Sequence, residues 1–420
     1  MSSPSPTFNF YGNTVVRAAF VVALFGWGVG FYGPPVFLHA VVLRTGWSLP
    51  LVSAAVTCHF LFGAGVVVLL PRIHRRFGVA AATLVGAIVL AAGVLGWAAA
   101  VEPWQLFVAA LLTGGGWVPL GAAGINAIVS PWFADRRPLA LAKAYNGASV
   151  GGMVFSPLWA VLIERVGFPA AAMMVGLAMV VAVTSIATRE LARTPLGEGQ
   201  AADGVAPARA SAPAGGPAAA AIVPALWRDR RFLTLAAAMS LGLFAQIGLI
   251  AQLFSLMAPG MGPRLAGGVM ALATGCGMGG RLIMARWLRG RTDRRRAAAA
   301  SYAVQAAGTL LLWVAGPEHL AFFLLGVVLF GLGIGNATSL PPLIAQAEFA
   351  PADVPRVVAR SVALAQALYA FAPAVLAGLM VDGARAAPSW GSDNAAYFFV
   401  ILALQALAAA LMRSASTARR

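Results

Sequence analysis

The sequence predicts an all-α membrane protein of twelve transmembrane helices, arranged as two pseudo-symmetric six-helix bundles, and three observations predict it. Of the 420 residues 60% are apolar and only 10% are charged, the reverse of the balance that keeps a chain dissolved in water. Apolar runs recur from end to end, and each is long enough to cross a hydrocarbon layer of roughly 30 Å, which takes about 20 residues. The third observation is duplication, because features of the first half return at matching places in the second.

Lipid offers no partner to a bare peptide group, and these runs are far longer than barrel strands, so each must be a helix. The predicted spans are 15–38, 51–70, 79–100, 104–131, 138–163 and 169–188, followed by 232–257, 264–288, 297–315, 319–345, 357–381 and 395–412. Between the two sets, residues 191–230 are rich in Ala, Gly and Pro, cannot bury a core, and read as a cytoplasmic linker. The expected organisation is an N-terminal bundle (1–190), the linker, and a C-terminal bundle (231–420). No secretory signal stands apart from the first helix.

A net charge of +16 could suggest nucleic acid, but the basic residues are scattered in short clusters between apolar runs, which excludes a nucleic-acid-binding domain. Placing both termini on one side leaves only Arg44, Arg165, Arg264 and Arg385 in the opposite loops and Arg281 within a span. The remaining Lys and Arg residues fall on the side of the termini, a positive-inside pattern that predicts cytoplasmic termini in a multi-pass protein of a bacterial-type inner (plasma) membrane. Cys58 and Cys276 both fall in apolar runs, so neither a disulfide framework nor a zinc site is expected.

The duplication can be read residue by residue. Pro71-Arg72-Ile73-His74-Arg75-Arg76 follows the second span, and a basic loop with Arg286, Arg289, Arg291, Arg294 and Arg295 follows the eighth. Gly114-Gly115-Gly116 and Asn126 of the fourth span are echoed by Gly331, Gly333, Gly335 and Asn336 of the tenth, with Pro157 and Pro373 trailing at similar distances. Duplicated halves are how alternating-access carriers place a site at the midplane between two rocking bundles.

Trp132-Phe133-Ala134-Asp135-Arg136-Arg137-Pro138-Leu139-Ala140, continuing through Ala144-Tyr145-Asn146-Gly147-Ala148-Ser149-Val150-Gly151, resembles a signature of the major facilitator superfamily in its monocarboxylate transporter and oxalate–formate antiporter-like branch. Gly280-Arg281 resembles the small-residue–arginine pair whose guanidinium contacts the substrate carboxylate there. The resemblance implies the major facilitator fold and a secondary active transporter of a small organic anion, a monocarboxylate. Proton-coupled animal members carry a lysine in the first helix and an aspartate one turn before the arginine, where this chain has Pro35 and Gly277. The eleventh-helix lysine of the bacterial exchangers corresponds to Ala365-Gln366.

Arg281 is the foremost candidate for binding substrate. A charge deep in a span costs a few kcal/mol on insertion scales, and a planar guanidinium suits bidentate grip on a carboxylate. The plainer reading has it snorkel toward Arg286. His59, in the second span, could carry a coupling proton or donate to the solute, whereas a lone intramembrane His more often bonds a neighbouring helix. Tyr32, Asn126, Gln246, Gln366 and Tyr369 are further pocket candidates, drawn from a mid-depth set that also holds Trp27, Trp117, Gln252 and Asn336; for any one of them, interhelical glue is the bland alternative. Gly147 and Gly151 in the fifth span, with Gly275 and Gly279 in the eighth, are small residues four apart that could form a sliding contact between the halves. Arg72, Arg75, Arg76, Arg289, Arg294 and Arg295, with the motif doublet Arg136 and Arg137, are candidates for a cytoplasmic gate, or simple orientation signals.

Walker loops, His-Glu-x-x-His pairs and a grouped Ser, His and Asp set do not occur in the sequence, so an enzyme is not expected. Gly331-Leu332-Gly333-Ile334-Gly335 lies inside an apolar run and is no dinucleotide turn. The expected partners are a small organic anion, the lipid bilayer and coupling protons, with no cofactor, no metal and no nucleic acid, and the expected state is a monomer. Two alternatives stay open: an efflux pump for drug-like or amphipathic compounds, and a membrane sensor without turnover.

Overall fold

The computed structural model describes residues 10–134, 136–204, 226–288, 293–350, 353–380 and 394–416. The predicted loop arginines 289, 291 and 385, and most of the linker, lie outside them. Among the described residues the secondary structure is helical, and twelve helices are long and apolar enough to cross a membrane. We number these α1 (Gly12–Thr45), α2 (Leu49–Phe77), α3 (Val79–Ala99), α4 (Pro103–Trp132), α5 (Leu139–Val166), α6 (Phe168–Leu191), α7 (Arg230–Met261), α8 (Pro263–Trp287), α9 (Arg294–Ala315), α10 (Leu320–Glu348), α11 (Arg356–Ala377) and α12 (Ala395–Ser414). An even number of crossings returns the chain to the face on which it began, called here the terminus face; the opposite one is the far face.

Helix α2 runs on past its predicted end, so Arg72, Arg75 and Arg76 ride on its last turns instead of a loop. The physical reason is that cations at a helix C-terminus complement its unpaired carbonyls. Several spans are interrupted, and they are the spans that build the centre. Helix α1 breaks at Phe31–Tyr32, where the Tyr32 N–H reaches back to the Trp27 carbonyl at 2.8 Å and Pro34 and Pro35 start a new helix at Gly33. Span α4 is interrupted by a tight turn at Val118–Leu120 around Pro119. Span α10 restarts at Asn336 after Gly335, and α11 restarts at Ala372 with Pro373 in its first turn. Each proline lacks an N–H and fits where a helix begins, so these breaks leave few donors bare.

The halves repeat one packing device. A Cβ on Gly116 of α4 would lie 2.4 Å from the Leu90 nitrogen of α3, and a Cβ on Gly308 of α9 would lie 2.3 Å from the Phe330 nitrogen of α10. Only glycine lets these backbones touch. Between the halves, α5 and α8 lie against each other: Gly267 abuts Pro157, and Gly275 abuts Met153. Apart from the bond of Arg281 described below, the bonds that join the halves among the described residues lie toward the far face. Gln252 Nε2 donates to Ser53 Oγ at 2.9 Å across the halves and, within the second half, to the Pro373 carbonyl at 3.3 Å; the Ala374 N–H donates to Thr57 Oγ1 at 3.3 Å, and Arg264 pairs with Glu164 at 2.7 Å, both across the halves. The bundles are thus shut at the far face.

At the terminus face each half is fastened separately. In the second half Arg295 is 2% exposed and makes a bidentate pair with Glu348 at 2.8 and 2.9 Å, with further bonds to Thr234 Oγ1 and the Arg231 carbonyl. In the first half the start of the linker folds back as a strap. Gln200 accepts the Tyr11 N–H at 3.1 Å, and Asp203 accepts the Ala134 N–H at 3.0 Å. Asp203 adopts φ 60°, a left-handed conformation its short polar side chain tolerates better than most. Tyr11 also donates to the Glu190 carboxylate, and burial together with that anion pushes its phenol up to about 12.

Candidate functional site

Side chains of α1, α2, α4, α5, α8, α10 and α11 converge between the halves. Helix α8 enters from the far face and carries Arg281 toward the terminus face. Its stem crosses α10 at Gly335, where a Cβ would sit 2.6 Å from Arg281 Cγ and 2.9 Å from Cδ. Beyond that crossing, Arg281 Nη2 donates to Ser149 Oγ on α5. Ser149 lies ten residues into α5, about 15 Å along the helix from its terminus-face end at 1.5 Å per residue. The guanidinium therefore turns inward across the boundary between halves instead of snorkelling along α8 to Arg286.

Tyr32, at the break in α1, is 6% exposed and lies within the field of Arg281. A Cβ on Gly152 would meet both Thr274 Cγ2 at 2.5 Å and the Tyr32 ring at 2.7 Å, so a bare glycine on α5 is what lets α1, α5 and α8 close around this point. Arg281, Tyr32, Ser149 and Thr274 thus form one polar group drawn from both halves. The hydroxyl of Ser149 is the single hydrogen-bond partner of Arg281 among the described residues, although a guanidinium has five N–H groups to give. No carboxylate among them comes within 4.0 Å of it.

Around that group stands an aromatic wall. Phe31 has ring centroids of Tyr32, Phe60 and Trp117 at 5.0, 5.9 and 6.0 Å. Trp27 lies 6.2 Å from Trp117 and 6.1 Å from Tyr145, whose hydroxyl is anchored on the Ala122 carbonyl. Tyr369 of α11 closes the ring set from the second half, 6.0 Å from Phe60. Edge-to-face pairs at such spacings are the favoured arrangement of aromatic quadrupoles.

The other predicted residues are placed as follows. Asn126 is exposed on α4 and accepts from Ser130 at 3.0 Å; Gln366 is half-buried on α11 with no side-chain hydrogen bond to a described residue. His59 is fully buried behind the wall, with Nδ1 2.9 Å from Thr113 Oγ1 and its ring stacked 5.7 Å from Trp117. The Thr113 hydroxyl donates to the Ala110 carbonyl, so His59 Nδ1 is the donor in that contact. Gln246 sits away from the chamber, accepting from Gln305 at 3.0 Å inside the second half. Gly147 and Gly151 face the Phe20 and Leu24 carbonyls of α1, not α8, because α1 fills that side of α5. Gly275 does meet α5, at Met153, whereas Gly279 faces open space.

Arg137 of the motif donates to the Phe133 and Ser130 carbonyls at 2.9 and 3.2 Å, capping the end of α4, and Arg136 donates to the Asp203 backbone of the strap at 2.9 Å. Arg72, Arg75 and Arg76 are exposed and form no ion pair among the described residues. Arg294 donates to the Leu343 carbonyl. Sequence reasoning missed Ser149, Thr274, Phe31 and Phe60 as neighbours of the site. A hydroxyl or a phenylalanine inside an apolar run carries no signal of direction; Gly335 was at least marked by its place in the glycine repeat.

Two helical bundles meeting along a shared boundary, with one guanidinium of the second reaching a hydroxyl of the first, are the arrangement of a two-bundle membrane protein. The family model "Major Facilitator Superfamily" matches residues 18–377, and the chain belongs to that superfamily of transporters. An "MFS-type transporter 1" of Ophiocordyceps sp. (strain BCC 1869) is 30% identical over 178 residues, which are 40% of this chain and 37% of that relative. Among solved structures, the nucleoside transporter NupG superposes with a TM-score of 0.68 at 12% identity, covering 98% of this chain and 99% of that one. A bacterial homologue of the human lysosomal transporter Spinster, inward-facing and occupied, gives 0.65 at 14% identity, covering 99% and 98%. These likenesses speak for the fold.

Proposed function

We propose that this transporter carries a small organic anion, a monocarboxylate, by alternating access, with Arg281 binding the carboxylate. The observation that carries the reading is the position of that guanidinium: between the halves, held by one hydroxyl, and without a carboxylate partner among the described residues. A carboxylate arriving from the terminus face can take the free N–H groups as a bidentate partner. Tyr32, Asn126, Gln366 and Tyr369 then complete the pocket, with His59 set behind its wall. The bundles 1–190 and 231–420 rock about the linker 191–230, in a bacterial-type inner membrane with cytoplasmic termini. The test is uptake into proteoliposomes. Arg281→Ala should abolish carboxylate uptake, and Arg281→Lys should lower it about tenfold or more because an ammonium cannot reproduce the fork; unchanged uptake in Arg281→Ala overturns the assignment.

A further inference from the structure

We infer that the cargo is an aromatic carboxylate: a planar aryl body carrying the acid that Arg281 grips. This rests on the carboxylate reading above and deepens it. Among the described residues, the polar groups packed directly at Arg281 are the Ser149 and Thr274 hydroxyls and the Tyr32 phenol, with the amides of Asn126 and Gln366 farther out in the proposed pocket. Thr274 already donates to the Met270 carbonyl at 2.9 Å. From Tyr32 the ring contacts run on through Phe31 to Phe60 and Trp117. Trp27, Phe31, Tyr145 and Tyr369 are each half-buried, so part of each remains open. Phe60 and Trp117, at 4% and 8% exposed, stand behind Phe31 as backing.

The open rings come from α1, α5 and α11, on both sides of the boundary, and they are linked by contacts of 5.9 to 6.2 Å through the two backing rings. A further aromatic ring placed among them can meet edges and faces at the spacing these rings already keep with one another. A two- or three-carbon hydroxy acid bound to Arg281 would leave those faces covered only by water, and the aromatic area would contribute nothing to its selection. An aryl acid uses both features at once: charge at one end, ring surface for the body.

The experiment is a binding series on the purified full chain, by isothermal titration, with acetate, lactate, cyclohexanecarboxylate, benzoate and the neutral isostere benzamide. Benzoate should bind about tenfold or more tighter than acetate and lactate, and measurably tighter than cyclohexanecarboxylate, which matches its bulk without a π face. Phe31→Leu and Tyr369→Leu should each lower the benzoate-to-acetate affinity ratio, a quantity taken within one protein sample and therefore independent of how much of the variant is folded. Acetate or lactate binding as tightly as benzoate overturns the aromatic inference and leaves the anion reading standing. Benzamide binding as tightly as benzoate, or no carboxylate binding at all, overturns the anion reading beneath it, and the first of these outcomes points to an exporter of neutral amphipathic compounds.

Discussion

The two halves share a scaffold and differ in what they bring to its centre. Five aromatic residues of the wall and its backing, Trp27, Phe31, Phe60, Trp117 and Tyr145, come from the first half, whereas the cation, Arg281, and one ring, Tyr369, come from the second. Their terminus faces differ as well. The second half is pinned by the buried Arg295–Glu348 pair, the first by a strap of linker whose bonds are largely exposed. Duplication has thus been kept where backbones must touch and abandoned where side chains meet cargo or close off a bundle. On the proposed reading a ligand would be gripped by charge from one half and mainly by ring surface from the other, and its occupancy would bear on their relative position.

The sharpest way to break this comparison is at the buried pair. Glu348→Ala would strand the Arg295 guanidinium, and breaking one side of such a pair costs about 3–5 kcal/mol; a large fall in the unfolding midpoint in detergent is expected. Next come the duplicated glycines. Gly116→Ala and Gly308→Ala each force a Cβ against backbone nitrogen at 2.4 and 2.3 Å, and each should cost about 1–3 kcal/mol as overpacking. Unequal losses in the same unfolding assay would show that the halves are less alike than their packing.

Smaller is the far-face latch. Gln252→Ala removes its one bond across the halves, to Ser53, and with a net worth of about 1 kcal/mol for a typical bond it should shift the population toward far-face opening several-fold, read by labelling of a cysteine placed at Leu49, at the start of α2. Smallest is Glu164→Gln at the exposed pair with Arg264, where side chains are 40% and 57% exposed; within about 1 kcal/mol, neither stability nor labelling should change appreciably.

The twelve spans were legible because apolar length is a property of sequence alone. Arg281 was legible for the same kind of reason, being a charge where charge is costly. Direction was not. In a helix that is apolar all round, hydropathy does not say which face turns inward, so Asn126 and Gln246 looked equivalent, although one is exposed on α4 and the other is bonded to Gln305 within the second half. Arg295 read as an orientation signal and proved to be a buried structural charge. The strap escaped because Gln200 and Asp203 are isolated polar residues in a stretch whose composition argues against order. The glycine pairs were found by spacing, yet spacing could not reveal that α1 occupies the side of α5 they face.

The bare backbone at Gly335 has a practical meaning for redesign. Since the stem of Arg281 lies in the notch that this glycine leaves, and its tip rests on the opposite bundle, one side chain ties the two halves together at this level. If Arg281 grips the cargo as proposed, reshaping the surrounding rings retunes what is carried with less disturbance than altering the side chain that also makes the joint.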